Sequence, residues 1–117
     1  MSLPIVYVDD EPLLCRVFQT VLERTGLPVH TFTDPNDALA FIHANEVCLI
    51  VSDFRMPQMT GLELLDRIEA DVPFIMVSGD LGVSRWTEGN PRVLDVLTKP
   101  FRPERLLEVV RGCLAPG

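Results

Sequence analysis

Asp9 and Asp10, Asp53, Ser78 and Lys99 each stand where a short apolar run gives out. Asp9 and Asp10 follow Ile5-Val6-Tyr7-Val8, Asp53 comes after Val47 to Val51, Ser78 follows Phe74 to Val77, and Lys99 comes after Val93 to Leu97. If these runs are strands of an open parallel sheet, their carboxyl ends line one crevice, which is where such sheets bind ligands. Three carboxylates, a hydroxyl and an ammonium then converge. Clustered carboxylates repel one another unless a cation or a proton relieves them. Mg²⁺ suits the set, because it takes oxygen ligands from one or two carboxylates and leaves room for water and phosphate. Asp9, Asp10 and Asp53 are the candidate metal ligands. A carboxylate in such a site can also act as a nucleophile and form an acyl phosphate, while metal and ammonium neutralise the transferring phosphoryl group. Lys99 supplies that ammonium, and Ser78 a hydroxyl donor.

Taken singly, each residue has a plainer role. An isolated Asp9 or Asp10 reads as a helix N-cap, Ser78 as a turn residue and Lys99 as a solvated surface lysine. The adjacent acidic pair together with Asp53 tips the balance to a metal site. His30 and His43 have no acidic neighbour at helical spacing and read as surface residues.

The elements that must position these groups alternate strand and helix. Ile5 to Val8 leads into a helix over Pro12 to Arg24, where Leu14, Val17, Phe18, Val21 and Leu22 recur at helical spacing. Gly26 ends it, and Pro28 to Thr33 forms the second strand. Asp34 as N-cap and Pro35 at the first helical position open a second helix to about Ala44. After the third strand and a loop over Phe54 to Met59, Thr60 and Glu63 form a capping-box pair that starts a helix from Gly61 to about Ala70. Pro73 introduces the fourth strand. Leu81 to Arg92 carries Gly82, Gly89 and Pro91, so any helix there is short, since Gly costs about 1 kcal/mol and Pro about 3 relative to Ala. Val93 to Leu97 is the fifth strand, and Pro103 begins an amphipathic last helix. Strands buried on both faces read as continuous apolar runs, and alternating units of this length require a parallel sheet with right-handed crossovers. The fold class is therefore α/β, a three-layer sandwich.

Length and composition fit one domain, 1–117, with 117 residues at 47% hydrophobic content. No apolar run exceeds five residues, far short of the ~20 that cross a bilayer, and no signal-peptide pattern opens the chain. A cytoplasmic location and no membrane partner are expected. Met1-Ser2-Leu3 reads as a cloning scar, and the ending Ala115-Pro116-Gly117 fits a domain cut from a longer protein. The net charge of −7, with acidic residues dispersed, argues against direct nucleic-acid binding. Cys15, Cys48 and Cys113 lack disulfide or zinc spacing and read as free thiols, with Cys48 in the core.

Four segments resemble one family, the receiver domains of two-component response regulators. They are Val8-Asp9-Asp10-Glu11, Ser52 to Pro57 with Gly61 beyond it, Ser78-Gly79, and Lys99-Pro100-Phe101. Each is weak alone; in order at strand ends they are specific, and the resemblance covers nearly the whole chain. It implies a flavodoxin-like (βα)5 fold with sheet order 2-1-3-4-5. It implies phosphorylation of Asp53 by a sensor histidine kinase or histidine phosphotransfer protein, and switched contacts to an output domain or effector protein. It further implies Mg²⁺ held by Asp10, Asp53 and the Arg55 backbone carbonyl, and by Asp9 through water. Ser78 and Lys99 would contact phosphoryl oxygens, and the Lys99-Pro100 bond would be cis. A phosphoacceptor switch of this kind is no enzyme beyond self-phosphorylation from small donors and slow autodephosphorylation, and weak homodimers are compatible with it.

Two positions depart from the family pattern. Val96 stands where an aromatic residue is usual, and the segment Leu81 to Arg92, with Trp86 in it, replaces a regular helix. Valine has no ring to swing, so the response is expected in the loop after the fourth strand. Arg55 and Asp80 are expected to face each other across the crevice mouth. The main alternative is a degenerate receiver acting as a phosphorylation-independent interaction domain, against which Asp53, Ser78 and Lys99 all argue. A dehalogenase-like phosphatase would need Asp two residues after the nucleophile, where this chain has Arg55.

Overall fold

The computed structural model describes residues 2–79 and 87–114. Five parallel strands form one sheet: β1 (Ile5–Val8), β2 (Val29–Phe32), β3 (Leu49–Asp53), β4 (Phe74–Ser78) and β5 (Val93–Thr98), in the order β2-β1-β3-β4-β5. The described residues hold four helices, α1 (Pro12–Glu23), α2 (Pro35–Ala44), α3 (Gly61–Asp66) and α4 (Pro103–Leu114). This is the expected three-layer α/β sandwich with its 2-1-3-4-5 order.

Residues along a strand alternate between the two faces of the sheet, so each central strand feeds two cores. Ile5, Tyr7, Leu49, Val51, Ile75 and Val77 pack on one side with Phe18 and Leu22 of α1 and Leu106 and Val110 of α4. Val6, Val8, Ile50, Phe74 and Met76 pack on the other with Ala38 and Ile42 of α2 and Leu64 and Leu65 of α3. Every residue of β1, β3 and β4 is buried, whereas the edge strands β2 and β5 are partly exposed.

The helix starts follow their capping chemistry. The Asp34 carboxylate accepts the Asn36 amide at 2.8 Å, and Thr60 and Glu63 close a reciprocal capping box. Gly26 takes a left-handed φ of 84° beyond α1, a conformation other residues adopt at a cost.

Three expectations need correction. β3 begins at Leu49 and runs through Asp53, so Cys48 lies at the strand entrance, half-buried, with its amide donating to the Pro4 carbonyl and its thiol to the Leu3 carbonyl at 3.3 Å. The buried thiol is Cys15; all three cysteines are free. Helix α3 stops at Asp66 rather than reaching Ala70. Its last turn tightens, with Arg67 donating to Leu64 and Ile68 to Leu65, and the Arg92 guanidinium takes up the Leu65 and Ala70 carbonyls at 3.0 and 2.9 Å. Asp80 and residues 81–86 of the segment before β5, Trp86 among them, lie outside the described residues.

Candidate functional site

The parallel register delivers the polar residues to one end of the sheet. Val8 pairs with Ser52, and Asp53 with Val77, so the last residues of β1, β3 and β4 come level. The Lys99 amide donates to the Ser78 carbonyl at 2.7 Å, which fixes the chain leaving β5 against the end of β4. The Lys99-Pro100 bond is cis. Asp10, Asp53, Arg55, Ser78 and Lys99 line one cleft, together with Glu11 and Gly79. Asp9 lies wholly buried beneath it. All six residues singled out from the sequence therefore surround a single cleft.

One carboxylate oxygen from each of Asp9, Asp10 and Asp53 falls within 4.8 Å of the others. Neither Asp9 nor Asp10 caps α1: its N-cap is Glu11, which makes no side-chain cap, and Asp9 Oδ1 accepts the Glu11 amide at 3.0 Å. No described residue hydrogen-bonds to the Asp10 carboxylate, whose side chain remains turned to the cleft lining.

Lys99 Nζ sits 3.4 Å from Asp53 Oδ1 and 3.7 Å from Asp9 Oδ2. Asp53 Oδ1 also accepts the Phe54 amide at 3.1 Å. Burial nonetheless pushes the Asp53 carboxyl up to about 6, with Lys99 opposing the shift and the Asp9 and Asp10 charges reinforcing it. A cluster with this surplus of negative charge is chemically matched to a hard divalent cation. Arg55 lies on the cleft rim, with its guanidinium carbon 5.8 Å from the Phe54 ring centroid, and pairs with Thr60 in a short bridge that closes the intervening loop.

Tyr7 stands in the sequence as one apolar position of a strand, yet its hydroxyl reaches the acidic cluster. Its hydroxyl donates to Asp9 Oδ2 at 3.0 Å, both residues being fully buried. A signal was present: Tyr7 and Asp9 share strand parity, and a buried tyrosine needs a partner for its hydroxyl. Cys15 lies beneath as well, its thiol donating to the Asp9 carbonyl at 3.2 Å.

The pattern of the response regulator receiver domain matches residues 5–111. The chain belongs to the response regulator receiver domain family. It is 36% identical over 115 residues to the cyclic di-GMP phosphodiesterase response regulator RpfG of Xanthomonas campestris pv. campestris, covering 91% of this chain and 30% of that protein. Among solved structures it resembles the chemotaxis response regulator CheY4 of Vibrio cholerae, with a TM-score of 0.85, 28% identity, and 97% and 100% of the two chains covered. It also resembles the response regulator TrrA of Thermotoga maritima, solved in complex with Mg(2+)-BeF, with a TM-score of 0.84, 25% identity, and 97% and 100% coverage. The chain spans about a quarter to a half of the length of the curated relatives it matches. Receiver domains are signalling switches of two-component systems rather than conventional enzymes, and phosphorylation and Mg²⁺ binding at an acidic pocket are typical of them. They work with histidine kinases and output domains. No described helix is long and apolar enough to cross a membrane.

Proposed function

We propose that this receiver domain accepts a phosphoryl group on Asp53 from a phosphohistidine of a sensor histidine kinase or histidine phosphotransfer protein. The observation that carries this reading is the convergence of the Asp9, Asp10 and Asp53 oxygens within 4.8 Å, with Lys99 Nζ 3.4 Å from Asp53. A carboxylate oxygen of Asp53 forms the new P–O bond as the donor P–N bond breaks, and the electron pair stays on the imidazole nitrogen. Lys99 moves from Asp53 onto a phosphoryl oxygen, and Ser78, at the end of the neighbouring strand, donates its hydroxyl to another.

Asp10, Asp53 and the Arg55 backbone carbonyl would hold Mg²⁺, with Asp9 acting through water. Bound there, the ion neutralises charge on the transferring phosphoryl group. We take residues 1–117 as one domain acting in the cytoplasm. Its response passes to an output domain or effector protein, with weak homodimers compatible, and involves neither nucleic acid nor membrane directly. Self-phosphorylation from small donors and slow autodephosphorylation complete the cycle.

Incubation with Mg²⁺ and acetyl phosphate, followed by intact mass, tests the assignment. One hydroxylamine-sensitive phosphoryl adduct is expected, absent in Asp53→Asn and in excess chelator. Undiminished labelling in either control rejects it, absence of any adduct points to a degenerate receiver, and multiple turnover points to a phosphatase.

A further inference from the structure

Asp9 is the most enclosed group of the cleft, and its two oxygens are held differently. Oδ1 takes the Glu11 amide at 3.0 Å. Oδ2 takes the Tyr7 hydroxyl at 3.0 Å and the Lys99 ammonium at 3.7 Å. Those two partners of Oδ2 differ in freedom. The Lys99 side chain is 26% exposed and already closer to Asp53, so it is free to swing outward. Tyr7 is wholly buried. Its ring packs on Phe18 at 5.4 Å between centroids, and Phe18 stacks on Phe101 at 5.5 Å, two residues beyond Lys99. The phenol is thus held against α1 through Phe18, which in turn packs on the chain that carries Lys99.

We propose that Tyr7 is a positioning residue, whose hydroxyl keeps Asp9 Oδ2 paired when Lys99 leaves it for an incoming phosphoryl group. This rests on the phosphoacceptor reading given above. Moving an ammonium off a buried carboxylate strands a charged oxygen, a costly event unless another donor remains. Tyr7 is that donor. The lysine is therefore released to the phosphoryl group without Asp9 turning toward the departing charge or drawing it back.

The test separates the state in which Lys99 stays on Asp9 from the state in which it has left. Mg²⁺ affinity alone, and Mg²⁺-dependent affinity for beryllofluoride as a phosphoryl stand-in, are measured by calorimetry on the full chain and on Tyr7→Phe. Phenylalanine is expected to weaken beryllofluoride binding by roughly tenfold, the scale of one hydrogen bond to a charged group, and to leave Mg²⁺ affinity within about twofold. A merely structural role would move both together. Equal beryllofluoride affinity in the two proteins, or parallel losses in both measurements, overturns the proposal.

A second measurement needs no variant. Tyr7 is the sole tyrosine of the chain, so its ring ¹³Cζ resonance is unique. It should shift in the direction of a stronger donor when Mg²⁺ and beryllofluoride are added together, and stay in place with Mg²⁺ alone. A resonance indifferent to beryllofluoride overturns the proposal even if Tyr7→Phe fails to fold. If the unaltered chain binds no beryllofluoride at all, the phosphoacceptor reading itself fails, and this proposal with it.

Discussion

Lys99 holds its ammonium 3.4 Å from the Asp53 carboxylate, yet the Asp53 carboxyl still titrates at about 6 rather than near 3.8. Burial outweighs the ion pair, and the neighbouring Asp9 and Asp10 charges add to it.

A pH dependence follows, with a definite sign. Between pH 3.8 and about 6 the folded protein holds a proton on Asp53 that the unfolded chain has released. Stability from this group is therefore full below that window and is lost as the pH rises through it. Without metal, Asp53→Asn should be more stable than the unaltered chain at pH 7.5 by about 1–2 kcal/mol, after allowing for screening at the open cleft. The two should converge near the lower end of the window. Urea unfolding in chelator at both pH values measures this. Adding Mg²⁺ should stabilise the unaltered chain more than the Asn variant, because a cation favours the ionised carboxylates. A pH-independent difference between the two proteins would refute the account.

Gly61 reverses the usual helix rule. Its amide donates to the Phe54 carbonyl at 2.7 Å, and an added Cβ would lie 2.5 Å from Met76 Sδ and 2.8 Å from the Asp53 carbonyl. The methionine can move aside, whereas the carbonyl belongs to the strand that presents Asp53. In an ordinary helix interior alanine beats glycine by about 1 kcal/mol. Here Gly61→Ala should destabilise by about 1–3 kcal/mol, as overpacking does, and should slow labelling by acetyl phosphate. An alanine variant with the unaltered unfolding midpoint and labelling rate would show that the approach is not tight.

Arg92 gives a third expectation. Its guanidinium joins the carbonyls of Leu65 and Ala70, tying the entrance of β5 to the end of α3. Arg92→Ala should cost about 1–2 kcal/mol for two partly exposed hydrogen bonds and raise amide exchange over residues 66 to 72. Arg92→Lys should recover little, since one ammonium lacks the planar fork that reaches both carbonyls. Unchanged exchange in the alanine variant would remove the clamp from consideration.

The contrast between Gly61 and Arg92 shows what the amino-acid sequence discloses. The start of α3 was legible because its cap is local, Thr60 and Glu63 lying three residues apart. Its end was not, because the carbonyls that close it are taken by an arginine beyond the next strand. The cleft residues were legible for a related reason: apolar runs mark the strands, and polar residues at their ends share one rim of a parallel sheet. Asp9 and Asp53 could be found that way. Tyr7 could not, because its hydroxyl matters only once Asp9 is seen to lie buried beside it. Cys48 misled for a simpler cause: it sits in an unbroken apolar run whose first two residues precede the strand.

The thiol of Cys15, buried against the Asp9 carbonyl, is pushed up to about 11 by burial and by the Asp9 charge. At neutral pH little of it is the thiolate that electrophiles and peroxides attack. The acidic cleft thus rests on a sulfur atom shielded by burial, whereas the half-buried Cys48 and Cys113 are the more accessible thiols of the chain.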